Sequence, residues 1–517
     1  MSGKPQAPVS KGELYLVFAG LMLALTLASL DQNIVSTALP RIVSDLGGLA
    51  HLSWVVTAFM VTSTTSTPLY GKLSDMYGRK PLFFVAIGIF LLGSILCGAA
   101  QSMVQLILFR ALQGLGAGGL MTLAQTTVGD LIEPRERGKY QGLFGAVFAA
   151  CSVAGPLLGG IITDLLSWRW IFYVNLPVGA AALFLIAIGL RRPCHSVTHR
   201  IDYTGAGLLT AGTVSLLLFL SWGGVAYAWL SPIIVSLAAV AALFYGLLIA
   251  QEAHAVEPII PLRLFGNRVF LVGVSVIGLN AMALFGSLVF LPLFFQLVLH
   301  ASPSHAGLMM APMMGGVIVA AVTGGRLVAR TGRYKMFPVG GLLAATCGFL
   351  ALAWAAINSA GIPFIEGSLV ILGAGLGFVM PNLTVAIQNS VERPTLGVAT
   401  SVSAFIRSLG GALGVAIAGA VVAMRLRSLL PATWTHPDTT GHTPLEMGIQ
   451  QIATVSAAQR HLLEYAYRHA IATTFVTGAA MAALAFVIVL FLPELPLRAA
   501  VPVETSPPEE ANEPVAY

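Results

Sequence analysis

Asp31 is the residue whose type and position demand the most of this sequence: a carboxyl inside the apolar run LYLVFAGLMLALTLASLDQNIVSTALPRI. Leu14 to Leu39 is long enough to cross a bilayer as a helix. Asp31 comes eight residues before Leu39, which puts it about 12 Å inside that end of the span. An ionised carboxylate at such depth costs roughly 2.5–3.5 kcal/mol on insertion scales, and binding a proton removes the charge. Asp31 is therefore expected to take up and release a proton as the protein works. Arg110 lies six residues after Val104, the outer start expected for another span, so it reaches a similar depth of about 9 Å from the same face. An arginine stays charged. Beside Asp31 it would favour the ionised acid while desolvation favours the protonated one, so a movement that changes their separation would drive proton binding and release. A static salt bridge is the alternative.

The substrate side is thinner. Ser29, Gln32, Asn33, Ser36 and Thr37 form a polar stripe, and at 100° per residue Asp31 falls on nearly the opposite side of the helix. Substrate and proton are accordingly expected on separate surfaces, coupled through helix rearrangement. FLPLFFQLV and LMMAPMMGG offer Phe294, Phe295, Met309 and Met313 as surfaces that repack around varied apolar ligands, with core or lipid-facing packing as the bland reading. Arg407, in AFIRSLGGALG, either binds anionic substrate groups or ties the C-terminal half together. Apart from Asp31, the acids near spans are Asp130, Asp164 and Glu366, all close to span ends. With no second deep carboxylate, monovalent lipophilic cations or neutral compounds are expected as cargo ahead of divalent ones.

No metal or cofactor is expected. His436, His442, His461 and His469 lack ligand spacing, and Cys97, Cys151, Cys194 and Cys347 are scattered, so neither a metal cluster nor a disulfide framework is implied. There is no GxxxxGK loop for nucleotide use, and no HExxH or GxSxG for a membrane-embedded enzyme.

Composition supplies the elements that must hold these residues. The chain is 57% apolar and 9% charged, where a soluble domain carries about 25% charged residues; it is a polytopic, all-α membrane protein. Windows of about 19 residues place fourteen spans near 14–39, 49–71, 81–100, 104–131, 139–163, 169–190, 203–222, 229–250, 268–298, 304–329, 335–356, 362–390, 396–424 and 470–492. With the amino terminus inside, every lysine and most arginines fall on the cytoplasmic side, which supports both termini there. The net charge of +6 thus reports topology; the basic residues form no stripe, so nucleic acid is not a partner.

A duplicated loop divides the chain. Gly71-Lys-Leu-Ser-Asp75-Met-Tyr-Gly78-Arg79-Lys80 recurs 254 residues later as Gly325-Arg-Leu-Val-Ala329-Arg-Thr-Gly332-Arg333. The expected organisation is a cytoplasmic N-terminus (1–13), an N-terminal six-helix bundle (14–190), a linker (191–202), two inserted helices (203–250), a second linker (251–267), a C-terminal six-helix bundle (268–492) with an extracytoplasmic loop at 425–469, and a disordered tail (493–517). Repeated six-helix halves around a midplane site suit alternating access. In the loop itself, Gly71 and Gly78 permit a tight connection and close helix approach, and Arg79 and Lys80 suit anionic headgroups. The topology rule leaves Asp75 unexplained.

These stretches carry a family resemblance. GKLSDMYGRKP resembles the signature between the second and third helices of the major facilitator superfamily. LDQNIVSTALP, LILFRALQGLGAG, AGPLLGGI and WRWIFYVNLPVG together resemble its fourteen-helix drug:proton antiporter branch. The resemblance implies a coupling role for Arg110 and a latch between halves formed by Asp75 and Arg79, with Asp130 as the partner of Arg79. It also implies an antiporter seam at Gly155, Pro156, Gly159 and Gly160, where glycines let a neighbouring helix approach and the proline bends the span. The function implied is proton-driven export of lipophilic drugs and antiseptics across a bacterial inner membrane, by a monomer whose partners are its substrates, protons and the bilayer. The sequence specifies no periplasmic adaptor. A dedicated exporter of one metabolite, lipid or siderophore is the alternative on the same fold.

Overall fold

Long apolar helices account for nearly all of the described residues, as the composition requires. The computed structural model describes residues 11–46, 52–190, 202–224, 227–255, 257–430 and 457–497. The N-terminal half contains α1 (Lys11–Leu46), α2 (Leu52–Tyr77), α3 (Arg79–Gly98), α4 (Met103–Leu131), α5 (Pro134–Leu165) and a sixth span broken into α6 (Trp170–Tyr173) and α7 (Asn175–Gly189). Two further helices follow, α8 (Tyr203–Trp222) and α9 (Pro232–His254), packed on each other. The C-terminal half comprises α10 (Arg268–Leu297), the short α11 (Pro303–Leu308), then α12 (Ala311–Thr331), α13 (Met336–Ile357), α14 (Ile362–Ser390), α15 (Leu396–Leu429) and α16 (Ala457–Val489).

Among the described residues, thirteen helical stretches are long and apolar enough to cross a membrane. The fourteenth long helix, α2, falls short because its middle reads TSTTST, and three of those residues, Ser63, Thr64 and Thr67, face a central cavity rather than lipid. The fold class is thus as expected. Several boundaries are not. The helix carrying Asp31 continues to Leu46, so the residue sits deeper along its helix than a span ending at Leu39 implies. Residues 425–429 belong to α15 and 457–469 to α16, which shortens the expected outer loop from both sides. His436 and His442 lie outside the described residues. The tail is partly docked: Tyr334 Oη donates to the Pro493 carbonyl and accepts from Leu495 N–H, each at 2.8 Å, and Leu497 is buried.

Without a strong hydrophobic drive between helices in lipid, close backbone approach carries the packing. A Cβ at Gly118 would overlap the Ser63 carbonyl of α2, and Thr67 Oγ1 donates to the Gly118 carbonyl at 3.1 Å. The two halves meet through matching pairs, α2 on α15 and α5 on α12, the second and fifth spans of opposite halves. At the first crossing Gly71 lies against Ser401; at the second its repeat counterpart Gly325 lies against Gly138, where any Cβ would overlap the Gly138 carbonyl oxygen.

Candidate functional site

Asp31 and Arg110 are paired. Arg110 Nη1 lies 2.5 Å from Asp31 Oδ2, and the two residues are 1% and 0% exposed. The other carboxylate oxygen accepts from Gln113 Nε2 and Asn175 Nδ2, each at 2.8 Å. Ser94 Oγ accepts from the same two amides at 2.7 and 3.1 Å, and Arg110 Nη1 also donates to Gln113 Oε1 at 2.7 Å. Helices α1, α3, α4 and α7 thus converge on one carboxylate. Every donor that reaches it suits the ionised form. Protonating Asp31 removes the charge that holds Arg110.

Gln113, Asn175 and Ser94 escaped the sequence reading. Gln113 is three residues after Arg110, hence on the same helix face, and Asn175 is a polar residue between apolar neighbours; both spacings were signals.

A cavity of about 1250 Å³ runs between the halves. Its lining includes Gln32 from the polar stripe of α1, Gln125 and Gln141 about two turns in from the loop-side ends of α4 and α5, and Leu426 and Arg427 at the end of α15 remote from Gly397. Leu230, in the α8–α9 connection, reaches both cavity and exterior, being 90% exposed. The cavity is therefore closed on the side of the duplicated loops and open toward the opposite side. Neither Asp31 nor Arg110 lines it. Between them and the cavity stands Phe59: its ring lies 4.1 Å from the Arg110 guanidinium carbon, in cation–π contact, and it also lines the cavity.

The candidate substrate residues divide. Gln32 and Arg407 line the cavity. Asn33 does not; it packs on Gly155 of α5 and donates to the Ser29 carbonyl at 2.7 Å. Phe294, Phe295, Met309 and Met313 are at most 6% exposed and belong to one core cluster of the C-terminal half. Phe290 and Leu293 line the cavity in their place: Leu293 is turned by about 100° from Phe294, whereas Phe290 shares the face of Phe294 one turn earlier along α10. Arg407 Nη2 contacts Met121 Sδ at 2.5 Å.

The loop residues form a charged cluster across the closed side. Arg79 lies 2.6 Å from Asp75 and 2.8 Å from Asp130, and also donates to Ser74 Oγ. Asp75 accepts from Gly397 N–H at 3.2 Å and Val398 N–H at 2.9 Å, so a carboxylate of one half sits on the amino end of α15 in the other. Gly78 has φ 89°, a conformation that glycine supplies without strain. Lys80 stays within its own half, donating to the Ala187 carbonyl at 2.7 Å. In the second copy Ala329 has no carboxylate to offer α5.

The expected seam on α5 is narrower than four residues. Gly155 is buried against Asn33 of α1, where a Cβ would come within 2.5 Å of the Asn33 Cβ, and Gly159 is buried. Pro156 is exposed, and a Cβ at Gly160 would meet open space. α5 runs through Pro156 as one helix.

Comparison with known proteins bears on all of this. A family profile described as Major Facilitator Superfamily matches residues 21–202 and 203–415. Multidrug transporter protein MdtP from Bacillus subtilis (strain 168) is 42% identical over 416 residues, spanning 80% of this chain and 76% of that protein. Multidrug resistance protein 3 from the same organism is 40% identical over 405 residues, 78% of this chain and 79% of its own. Among solved structures, the human organic anion transporter MFSD10 (TETRAN) matches 94% of this chain and 100% of that chain with a TM-score of 0.61 at 17% identity. The proton:xylose symporter XylE matches 93% and 96% with a TM-score of 0.58 at 15% identity. At such identities these two structures speak for the fold alone.

Proposed function

The chain belongs to the major facilitator superfamily, and we propose that within it this protein is a proton-coupled exporter that moves lipophilic compounds, drugs and antiseptics among them, across a bacterial inner membrane by alternating access. The observation that carries the proposal is the buried Asp31–Arg110 pair set behind Phe59, one side chain away from a cavity between two repeated halves. Efflux is supported by the relatives named as multidrug transporters. Proton coupling is supported by the pair.

The contacts support the following cycle. In the arrangement described, the loop side is closed by Asp75 on α15 and by the α5–α12 crossing, with the cavity open to the far side. Placing both termini in the cytoplasm makes this the outward-open state. A proton entering from outside neutralises Asp31 and releases Arg110, and Phe59, stacked on that guanidinium, moves with it. The cavity wall thereby changes shape when the proton binds. Once the halves rock to the inward-open state, cargo binding restores the ion pair and expels the proton inward. Proton and cargo act through separate surfaces of one helix group, so they need not compete for one carboxylate. The protein functions as a monomer in this scheme, with the gradient as its energy source.

Dye efflux from loaded cells tests it. Export should collapse with a protonophore and persist when ATP is depleted at a maintained proton gradient, and Asp31→Asn should abolish it at unchanged expression. Undiminished export by Asp31→Asn, or dependence on ATP, would remove the proposal.

A further inference from the structure

We propose that Arg407 anchors an anion subsite in the cavity, so that the preferred cargo is an amphiphile carrying a carboxylate, sulfonate or phosphate group. The inference rests on the exporter reading and names its substrate class.

Among the described residues lining the cavity there is no aspartate or glutamate, whereas two arginines are present, Arg407 deep on α15 and Arg427 near the mouth. Arg407 has no carboxylate partner among the described residues; its hydrogen bond goes to the Met121 thioether, a weak acceptor. A guanidinium in such surroundings lacks the counter-charge that buried arginines normally have. It offers a planar fork of donors matched to oxyanions.

A second observation points to the same ligand. Three buried polar side chains that line this cavity have atoms without a hydrogen-bond partner within the protein: Thr122 Oγ1, Gln141 Nε2 and both amide atoms of Asn280. They are 0%, 3% and 0% exposed. Leaving such groups unmatched costs about 1–3 kcal/mol each, and native interiors rarely tolerate several together. Thr122 and Gln141 come from α4 and α5 of the N-terminal half; Asn280 and Arg407 come from α10 and α15 of the C-terminal half. An oxyanion at Arg407 that also drew on the Thr122 hydroxyl, the Gln141 amide or the Asn280 amide N–H, after rotation of these buried side chains toward the cavity, would touch both halves at once, which an alternating-access carrier requires of its cargo. Apolar walls such as Phe144, Phe285 and Phe290 would take the rest of the molecule.

The expectation of monovalent cationic or neutral cargo ahead of divalent cargo counted Asp31 as the one deep carboxylate, but Asp31 is enclosed behind Phe59 with its own arginine. A cation in the cavity would meet guanidinium groups instead. An anion held at Arg407 would not bind at Asp31 itself.

The test uses the purified full-length protein in lipid nanodiscs with three fluorescent probes that share a ring system: dansylate (anionic), dansylamide (neutral) and monodansylcadaverine (cationic). Dansylate should bind about tenfold more tightly than monodansylcadaverine. Arg407→Gln should weaken dansylate by about tenfold, equivalent to about 1.4 kcal/mol, and dansylamide by less than about threefold. Arg407→Lys should keep part of the preference. If monodansylcadaverine or dansylamide binds as well as dansylate, or if Arg407→Gln weakens all three alike, the anion subsite is overturned. Proton-driven efflux of dansylamide from loaded cells, run alongside, separates the two readings: its presence with no dansylate preference leaves the exporter standing without the subsite, and its absence together with no binding of any probe removes both.

Discussion

The ring of Phe59 lies 4.1 Å from the guanidinium carbon of Arg110, and Phe59 also lines the cavity. It is one direct physical connection between the group expected to bind a proton and the space expected to bind cargo. Cation–π contacts of this kind are worth up to about 2 kcal/mol when desolvated, enough to bias one wall conformation over another.

Replacing Phe59 by leucine should therefore uncouple the two sites while keeping both. Dansylamide binding to Phe59→Leu is expected to persist but to lose its dependence on pH, as measured by fluorescence titration across the working range. A variant as pH-sensitive as the native protein would show that coupling runs elsewhere.

Arg110 and Asp31 should also depend on each other for stability. Arg110→Met leaves a buried carboxylate with two neutral amide donors, at a cost of roughly 3–5 kcal/mol, read as a lowered thermal unfolding midpoint in detergent. Adding Asp31→Asn removes the stranded charge and should recover most of that loss. Additive effects in the double variant would mean that the pair is not coupled.

The charged cluster at Asp75 should set the balance of states. Asp75→Asn weakens both the bond to Arg79 and the two contacts with the amino end of α15, so the closed loop side should open more often. Spin labels at the exposed Glu136 and Arg330, flanking the α5–α12 crossing, should report a longer distance population. An unchanged distribution would assign Asp75 to local folding only.

Close approach at Gly325 makes a sharper prediction. Gly325→Ala forces a methyl into the Gly138 carbonyl and should reduce export at least about tenfold, a barrier change of about 1.4 kcal/mol. Gly340→Ala, where the added methyl meets open space, should export normally. Equal behaviour of the two would show that the crossing need not close.

Phe290 and Phe294 provide a test of which aromatic lines the cavity and which belongs to the core. Phe290→Ala should alter the pattern of exported compounds in a substrate screen. Phe294→Ala, which empties a core site, should instead lower stability by roughly 3–5 kcal/mol and leave that pattern intact.

Much of the architecture was legible because the bilayer enforces it: Asp31 and Arg110 stand out as charges in apolar runs, and their similar estimated depths anticipated the pair. The Arg79–Asp130 contact and the separation of Gln32 from Asp31 around α1 were likewise readable, the first by resemblance and the second by helical angle. What failed was rotation and reach. An aromatic or methionine run does not reveal which of its members reaches the cavity by rotation or by depth along the helix, so the sequence points to Phe294, Phe295, Met309 and Met313 where Phe290 and Leu293 line it. Asn33 and Gly160 failed for the same reason, each being one position away from the relevant face. The start of α16 was hidden because hydropathy windows miss a helical end that carries Arg460, His461, Glu464 and Arg468.

The unequal loops have a mechanical outcome. Asp75 fastens α2 to α15 by charge and by two backbone donors, whereas Ala329, at the matching place, offers no carboxylate, and α12 meets α5 through the close approach of Gly325 to Gly138. A two-fold pseudosymmetric carrier with one fastened crossing cannot swing evenly. The α5–α12 side should part first and the α2–α15 side should act as the pivot, giving the inward-facing path a lopsided entrance bordered by Gly138 and Gly325.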